Sequence, residues 1–254
     1  MQLAYLIIFF LFLDIPYSQD LYTYEKIDST LHAWQEMFGN TFHPSDDYDG
    51  FGVIYNLDTI GYSSQDNLPI YAVKLSANAD IKEAQPRVLI LGQCHAEEIY
   101  GVEISMALIN CFLNIGIEEC FTSEIASQVM SNLRNLEIWI VPTHNPEGLR
   151  VVHGYEEETD DTTRWIQDVS YRKNKRDVNN DGLFNFDFTV EAGNDSDGVD
   201  LNRNYDFNWI FGDTLYTPDP SNCTYCSHYD YYRGEAAFSE SEVAAIRDFS
   251  IAQE

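Results

Sequence analysis

The sequence predicts an α/β fold: a mixed central sheet with helices on both faces, incomplete at the C-terminus. Apolar runs of strand length at residues 53–60, 70–75, 88–91 and 136–141 are interleaved with longer stretches whose apolar residues recur at helical spacing. Alternation of this kind builds a sheet covered by helices on both sides. The chain has 254 residues, 44% of them hydrophobic, which is enough to bury one large core. With no internal repeat, the expected organisation is a signal peptide over residues 1–18 and one partial domain over 19–254.

Residues 3–13 form an uninterrupted apolar run, too short to span a bilayer and of the length of a secretory signal core, with cleavage expected near Ser18. The protein is therefore expected to be secreted. No Lys or Arg precedes the run, and an uncleaved anchor is the alternative. Ile27, Leu31, Trp34 and Phe38 then recur at helical spacing, after an opening at Tyr22-Thr23-Tyr24-Glu25. Residues 53–60, 70–75 and 88–91 read as strands, 102–115 as a buried helix and 125–133 as another. Residues 136–141 read as a strand stopped by Pro142. From 156 to 197 the periodicity is lost in an acidic, Asn- and Gly-rich stretch, which reads as a long surface excursion. Ser241, Val243, Ala244, Ile246 and Phe249 begin a helix that Glu254 interrupts without a cap, the pattern of a truncation.

Composition narrows the partners. A net charge of -28, from 42 acidic against 14 basic residues, argues against nucleic acid, because phosphate repulsion would oppose every approach. No stable membrane partner is expected, and a monomer is. Five cysteines are an odd number for an oxidising compartment, so one should be free, and Cys94 is the candidate. Cys223 and Cys226 are expected to form a local disulfide. Cys111 and Cys120 pair or serve as core residues; the sequence leaves both open. Asn194 and Asn222 begin glycosylation sequons.

The chemistry-bearing residues begin where the strand at 88–91 runs into a loop. Open α/β sheets bind ligands beyond the carboxyl ends of their strands; His95 falls there after 88–91, and Asn145 after 136–141. His95 and Glu98 set an imidazole and a carboxylate three residues apart, two good zinc ligands where a catalytic site needs three. Further on come Asn145-Pro146-Glu147-Gly148, Tyr171-Arg172-Lys173-Asn174, Asp200-Leu201-Asn202-Arg203-Asn204, Tyr232-Arg233-Gly234 and Ser239-Glu240-Ser241-Glu242. In this order the segments resemble the zinc metallocarboxypeptidases of the carboxypeptidase A, B and T type, over about residue 21 to the last. The resemblance makes 19–254 a partial catalytic domain that hydrolyses the C-terminal peptide bond of a peptide or protein substrate.

It also implies roles. His95 and Glu98 would bind Zn²⁺, which acidifies its water and polarises the scissile carbonyl. Arg172 would stabilise the oxyanion of the transition state. Asn202 and Arg203 would hold the substrate's terminal carboxylate, which a guanidinium meets through two parallel hydrogen bonds. Asn145 and Gly148 read as turn residues, and His144, His153 and His228 as ordinary loop histidines. Within the acidic excursion, Asp177, Asn179 and Asp181 match the first half of a calcium loop with Gly182 at its sixth position, but position twelve is Phe188 rather than Glu.

Two departures from the resemblance follow. Glu97 stands where many relatives carry an Arg, which makes the outer subsite acidic and favours basic or neutral residues upstream of the cut bond. The third zinc ligand and the general base come, in the family, after the Ser-Glu-x-Glu segment, and are expected beyond Glu254. For the chain as written, weak zinc affinity and little peptidase activity are expected. The alternative is a non-catalytic module that binds peptide C-termini through Asn202 and Arg203 without a complete metal site.

Overall fold

The computed structural model describes residues 21–116, 120–158, 162–178, 180, 182, 184, 197–207, 209 and 232–253. The expected signal peptide, the Cys223–Cys226 pair, both sequons and His228 lie outside these residues.

Helix α1 (Tyr24–Phe38) starts at Thr23, whose hydroxyl accepts the Lys26 N–H and so satisfies one orphan donor of the first turn. Strands β1 (Tyr55–Tyr62) and β2 (Pro69–Leu75) form an antiparallel hairpin. Strand β3 (Arg87–Gln93) is followed by helices α2 (Tyr100–Leu113) and α3 (Ser123–Asn135), and the chain returns as β4 (Glu137–Thr143), parallel to β3. The sheet order is β1-β2-β4-β3, with β2 and β4 antiparallel. The sheet is thus mixed, as expected.

Period-two alternation along β4 supplies both cores. Ile138 and Ile140 join Val73 and Leu75 beneath α1, α2 and α3, through Ile27, Leu31, Met106, Ile109 and Leu133. Trp139 and Val141 face the other way, with Ile70 and Ala72, onto Ala245, Ile246 and Phe249 of helix α5 (Ser241–Ala252). At the outer end of β4, buried Glu137 accepts from Lys74 at 2.9 Å and from Arg87 at 2.6 Å. Two cations answer one carboxylate there. Cys111 and Cys120 form a disulfide between the end of α2 and the approach to α3, while Cys94 is free.

Three local readings are corrected. Pro142 does not stop β4, which runs on to Thr143. Pairing with β2 has ended at Ile140, so the missing proline N–H costs no ladder bond on that side. The segment read as a turn at Asn145 is the start of helix α4 (Pro146–His153), with Asn145 as N-cap and Pro146 in the first turn. Part of the expected surface excursion is an antiparallel ribbon, β5 (Tyr155–Glu158) with β6 (Thr163–Ile166).

Candidate metal and substrate site

His95 lies two residues past β3, and its backbone is fixed from both sides. Gln93 donates to the Ala96 carbonyl at 2.6 Å, and the Ala96 N–H donates to the Arg172 carbonyl at 3.1 Å. The second bond sets the Arg172 segment against the His95 loop. The imidazole is largely buried, and its Nδ1 stands 3.1 Å from Glu98 Oε1, whose side chain is exposed at the mouth.

The other ring nitrogen, Nε2, faces Asp200 Oδ1 at 3.2 Å and Arg172 Nη2 at 2.8 Å. A guanidinium only donates, so one ring proton cannot serve both contacts. Asp200 decides the matter. It is fully buried and needs donors, which favours a proton on Nε2, and a proton on Nδ1 answers the Glu98 carboxylate on the other side of the ring. Arg172 also bonds Asp200 directly: its Nε donates to Asp200 Oδ2 at 3.0 Å, and its Nη1 reaches Glu97 Oε1 at 3.4 Å.

The electrostatics agree with this ordering. Burial alone would raise the Asp200 carboxyl, but His95 and Arg172 more than reverse it and hold it below the usual range. The hydrogen bond to Asp200 raises His95 against the opposing effect of burial. Burial pushes the Cys94 thiol up to about 12, and the Asp200 and Glu98 charges add to it, so Cys94 stays a neutral thiol. Glu97 is also raised, chiefly by burial.

Asp200 caps the short 3-10 turn Leu201–Arg203, accepting the Asn202 N–H at 2.9 Å. That turn places Asn202 on the surface and Arg203 half-buried, close enough for the Arg203 charge to act on Cys94. Asp200 therefore joins His95 to Arg172, with Glu98 at the other ring nitrogen and Asn202 and Arg203 on the turn that Asp200 caps. Asp200 itself stood inside a recognised segment but had been given no role. Among the described residues, no group of three or more His, Cys, Asp or Glu side chains is arranged to hold a metal.

Asn145 does more than begin a helix. Its Oδ1 accepts the Gly148 N–H at 3.1 Å, and its Nδ2 donates to the carbonyls of Cys94 at 2.9 Å and Lys173 at 3.1 Å. One buried amide thus joins the segments on either side of the site. A side chain at Gly148 would lie 2.6 Å from both Asn145 Oδ1 and the Lys173 carbonyl, so that close approach requires glycine. His144 lies in the short link between β4 and α4 as a loop histidine, but it is buried, and burial lowers it to about 4, which keeps it neutral. Asp177 spends both carboxylate oxygens on the N–H groups of Asn180 and Gly182, as a turn residue does. Asn179 and Asp181, expected beside it as calcium ligands, lie outside the described residues, and calcium has no support in what is described.

A wide cleft of about 790 Å³ lies elsewhere, lined in part by Asp66, Arg150, Glu157, Arg164 and Lys175. Its cations are all answered by carboxylates: Lys175 by Asp66 and Glu157, Arg150 by Glu25 and Asp66, Arg164 by Glu157.

The family model for zinc carboxypeptidases matches residues 51–254, and the chain belongs to that family. A zinc carboxypeptidase of Simulium vittatum is 28% identical over 190 residues, covering 75% of this chain and 47% of that protein. The chain spans about half the length of this curated relative. Carboxypeptidase A from Helicoverpa armigera shares the fold with a TM-score of 0.60 and 23% identity, over 90% of this chain and 42% of that one. Thrombin activatable fibrinolysis inhibitor does so with a TM-score of 0.60 and 18% identity, over 91% and 44%.

Proposed function

We propose that the protein is a secreted, zinc-dependent carboxypeptidase that hydrolyses the last peptide bond of peptides or proteins. The observation that carries this reading is Asp200, which binds His95 Nε2 and Arg172 Nε at once. It ties a metal-ligand pair to a cation suited to a developing negative charge.

Two of the residues suit the metal. His95 Nδ1 and Glu98 Oε1 are a nitrogen and an oxygen donor 3.1 Å apart, and a tetrahedral zinc site spaces its ligand atoms by roughly 3.3 Å given ligand bonds near 2 Å. Bound zinc supplies a water acidified towards neutral pH and a Lewis acid for the carbonyl. Arg172, held by Asp200 and Glu97, presents its guanidinium beside the metal ligands, where it would offset charge developing on the carbonyl oxygen. Arg203 and Asn202 would grip the terminal carboxylate and confine attack to the final bond. The Cys111–Cys120 disulfide supports an oxidising compartment.

Titration calorimetry of the 254-residue chain with an N-blocked dipeptide, in zinc, tests the reading. The free acid is expected to bind at least about tenfold more tightly than the C-terminal amide, a preference worth about 1.4 kcal/mol, and Arg203→Ala should erase it. Zinc uptake should fall in His95→Ala. Equal binding of acid and amide would sink the proposal. Acid-selective binding with no zinc uptake at all would favour the non-catalytic module instead.

A further inference from the structure

Behind Arg172 lies a second set of buried acids. Glu147 on α4, Glu240 as N-cap of α5 and Glu242 in its first turn are 0%, 3% and 0% exposed. Glu240 and Glu242 converge on Asn174, whose Nδ2 donates to Glu240 Oε2 at 2.8 Å and lies 3.4 Å from Glu242 Oε1. The same Glu242 oxygen accepts from the Ser64 N–H and hydroxyl, in the turn between β1 and β2. Glu147 Oε1 accepts the N–H groups of Gln65 and Asp66 from that turn, while its Oε2 is buried with no hydrogen bond of acceptable geometry. Ser63 is its remaining polar neighbour.

Asn174 connects this cluster to the site. Its N–H donates to the Val199 carbonyl at 3.0 Å, and its Oδ1 accepts the Val199 N–H at 2.7 Å. Arg172 lies two residues before Asn174, and Asp200 follows Val199. The amide therefore locks together the two segments whose side chains meet at Arg172 and Asp200.

Arg176 lines a small cavity with Glu240, but among the described residues no cation forms an ion pair with the three acids. Lys175 and Arg150 are engaged by Asp66, Glu157 and Glu25, and the donors to Glu147, Glu240 and Glu242 given above are neutral amides and hydroxyls. Carboxylates that share a buried site cannot all ionise without strong mutual repulsion. The amino end of α5 favours an ionised Glu242, but exclusion from water and two flanking acids oppose it.

We infer that the Glu147–Glu240–Glu242 cluster retains a proton in the native protein at neutral pH, and that this proton keeps Asn174 joining the Arg172 and Asp200 segments. Glu242 is then a positioning residue, and loss of the cluster's proton to solvent sets the acids of α4 and α5, and the Asn174 segment between them, under mutual repulsion. Burial, then Glu147 and Glu240, push Glu242 up to about 8, which places the release just above neutrality. The inference holds or fails without zinc or peptide, and so stands apart from the proposed chemistry.

Hydrogen exchange of the Asn174, Gly198 and Val199 amides, corrected for intrinsic rates, tests it in wild type and Glu242→Gln between pH 5 and 9. A raised folded pKa means that stability is full below the unfolded value near 4.3 and is lost as pH rises to the folded one. Relative to Glu242→Gln, opening of these amides in wild type should increase by up to about tenfold per pH unit towards pH 8 and then level off. The amides of β4 should follow much less. A difference spread equally over β4, or none at all, overturns the positioning role. Should Glu242→Gln fail to fold, carboxyl ¹³C shifts of wild type decide: a Glu titrating above pH 7 supports the inference, and all Glu below pH 6 refutes it.

Discussion

Glu137 and Glu242 are both buried, at 1% and 0% exposure, yet they sit at opposite ends of carboxylate chemistry. Burial raises both. At Glu137 the Lys74 and Arg87 cations reverse the effect and lower its pKa, whereas at Glu242 the neighbouring Glu147 and Glu240 add to it. Partners rather than depth decide which acid is charged. Asp200 follows the Glu137 pattern, with His95 and Arg172 as its partners.

The largest test removes the answering charge. Glu137→Ala leaves Lys74 buried and unpaired, and urea unfolding should show a loss of about 3–5 kcal/mol. Asp200→Asn keeps the shape but withdraws the charge that orients His95. Zinc affinity should fall about 10–100-fold by competition titration, equivalent to about 1.4–2.8 kcal/mol. The two buried acids also give opposite pH limbs. Glu137, lowered in the fold, contributes stability above about pH 4.3 that is lost on acidification, while Glu242, raised, loses its contribution as pH climbs towards 8. Thermal midpoints should therefore peak in mildly acidic buffer, and Glu242→Gln should flatten only the alkaline side. The smallest effect is expected where both partners go together: Lys74→Met with Glu137→Leu should leave the unfolding midpoint nearly unchanged, since an apolar pair can replace a buried ion pair. A large loss there would break the contrast between paired and unpaired acids.

The sheet was legible because β2, β3 and β4 are apolar runs with clear ends, and α1 because Ile27, Leu31 and Phe38 keep one buried face. Helix α4 was read as a turn because Asn-Pro-Glu-Gly carries turn residues, although Asn before Pro also starts helices. The β5–β6 ribbon has Glu156, Glu157 and Glu158 in one strand, so no alternation marked it. His95, Glu98 and Arg172 were singled out through ordered segments, and in the structure Asp200 and Glu98 flank the His95 ring while Arg172 bonds Asp200. The role of Asp200 was not legible, because its meaning lies in a histidine 105 residues away. Glu240 and Glu242 were seen as a motif, but their burial against Glu147 depends on how α4 and α5 dock.

Asn145 carries a chemical consequence of its neighbour. Asparagine side chains age by cyclising onto the next residue's backbone nitrogen, which must first give up its proton, and Pro146 has none to give. Conversion to aspartate would turn the amide's two donated bonds, to the Cys94 and Lys173 carbonyls, into repulsive oxygen–oxygen contacts. The proline that opens α4 thus also shields this joint from slow deamidation over the lifetime of the protein.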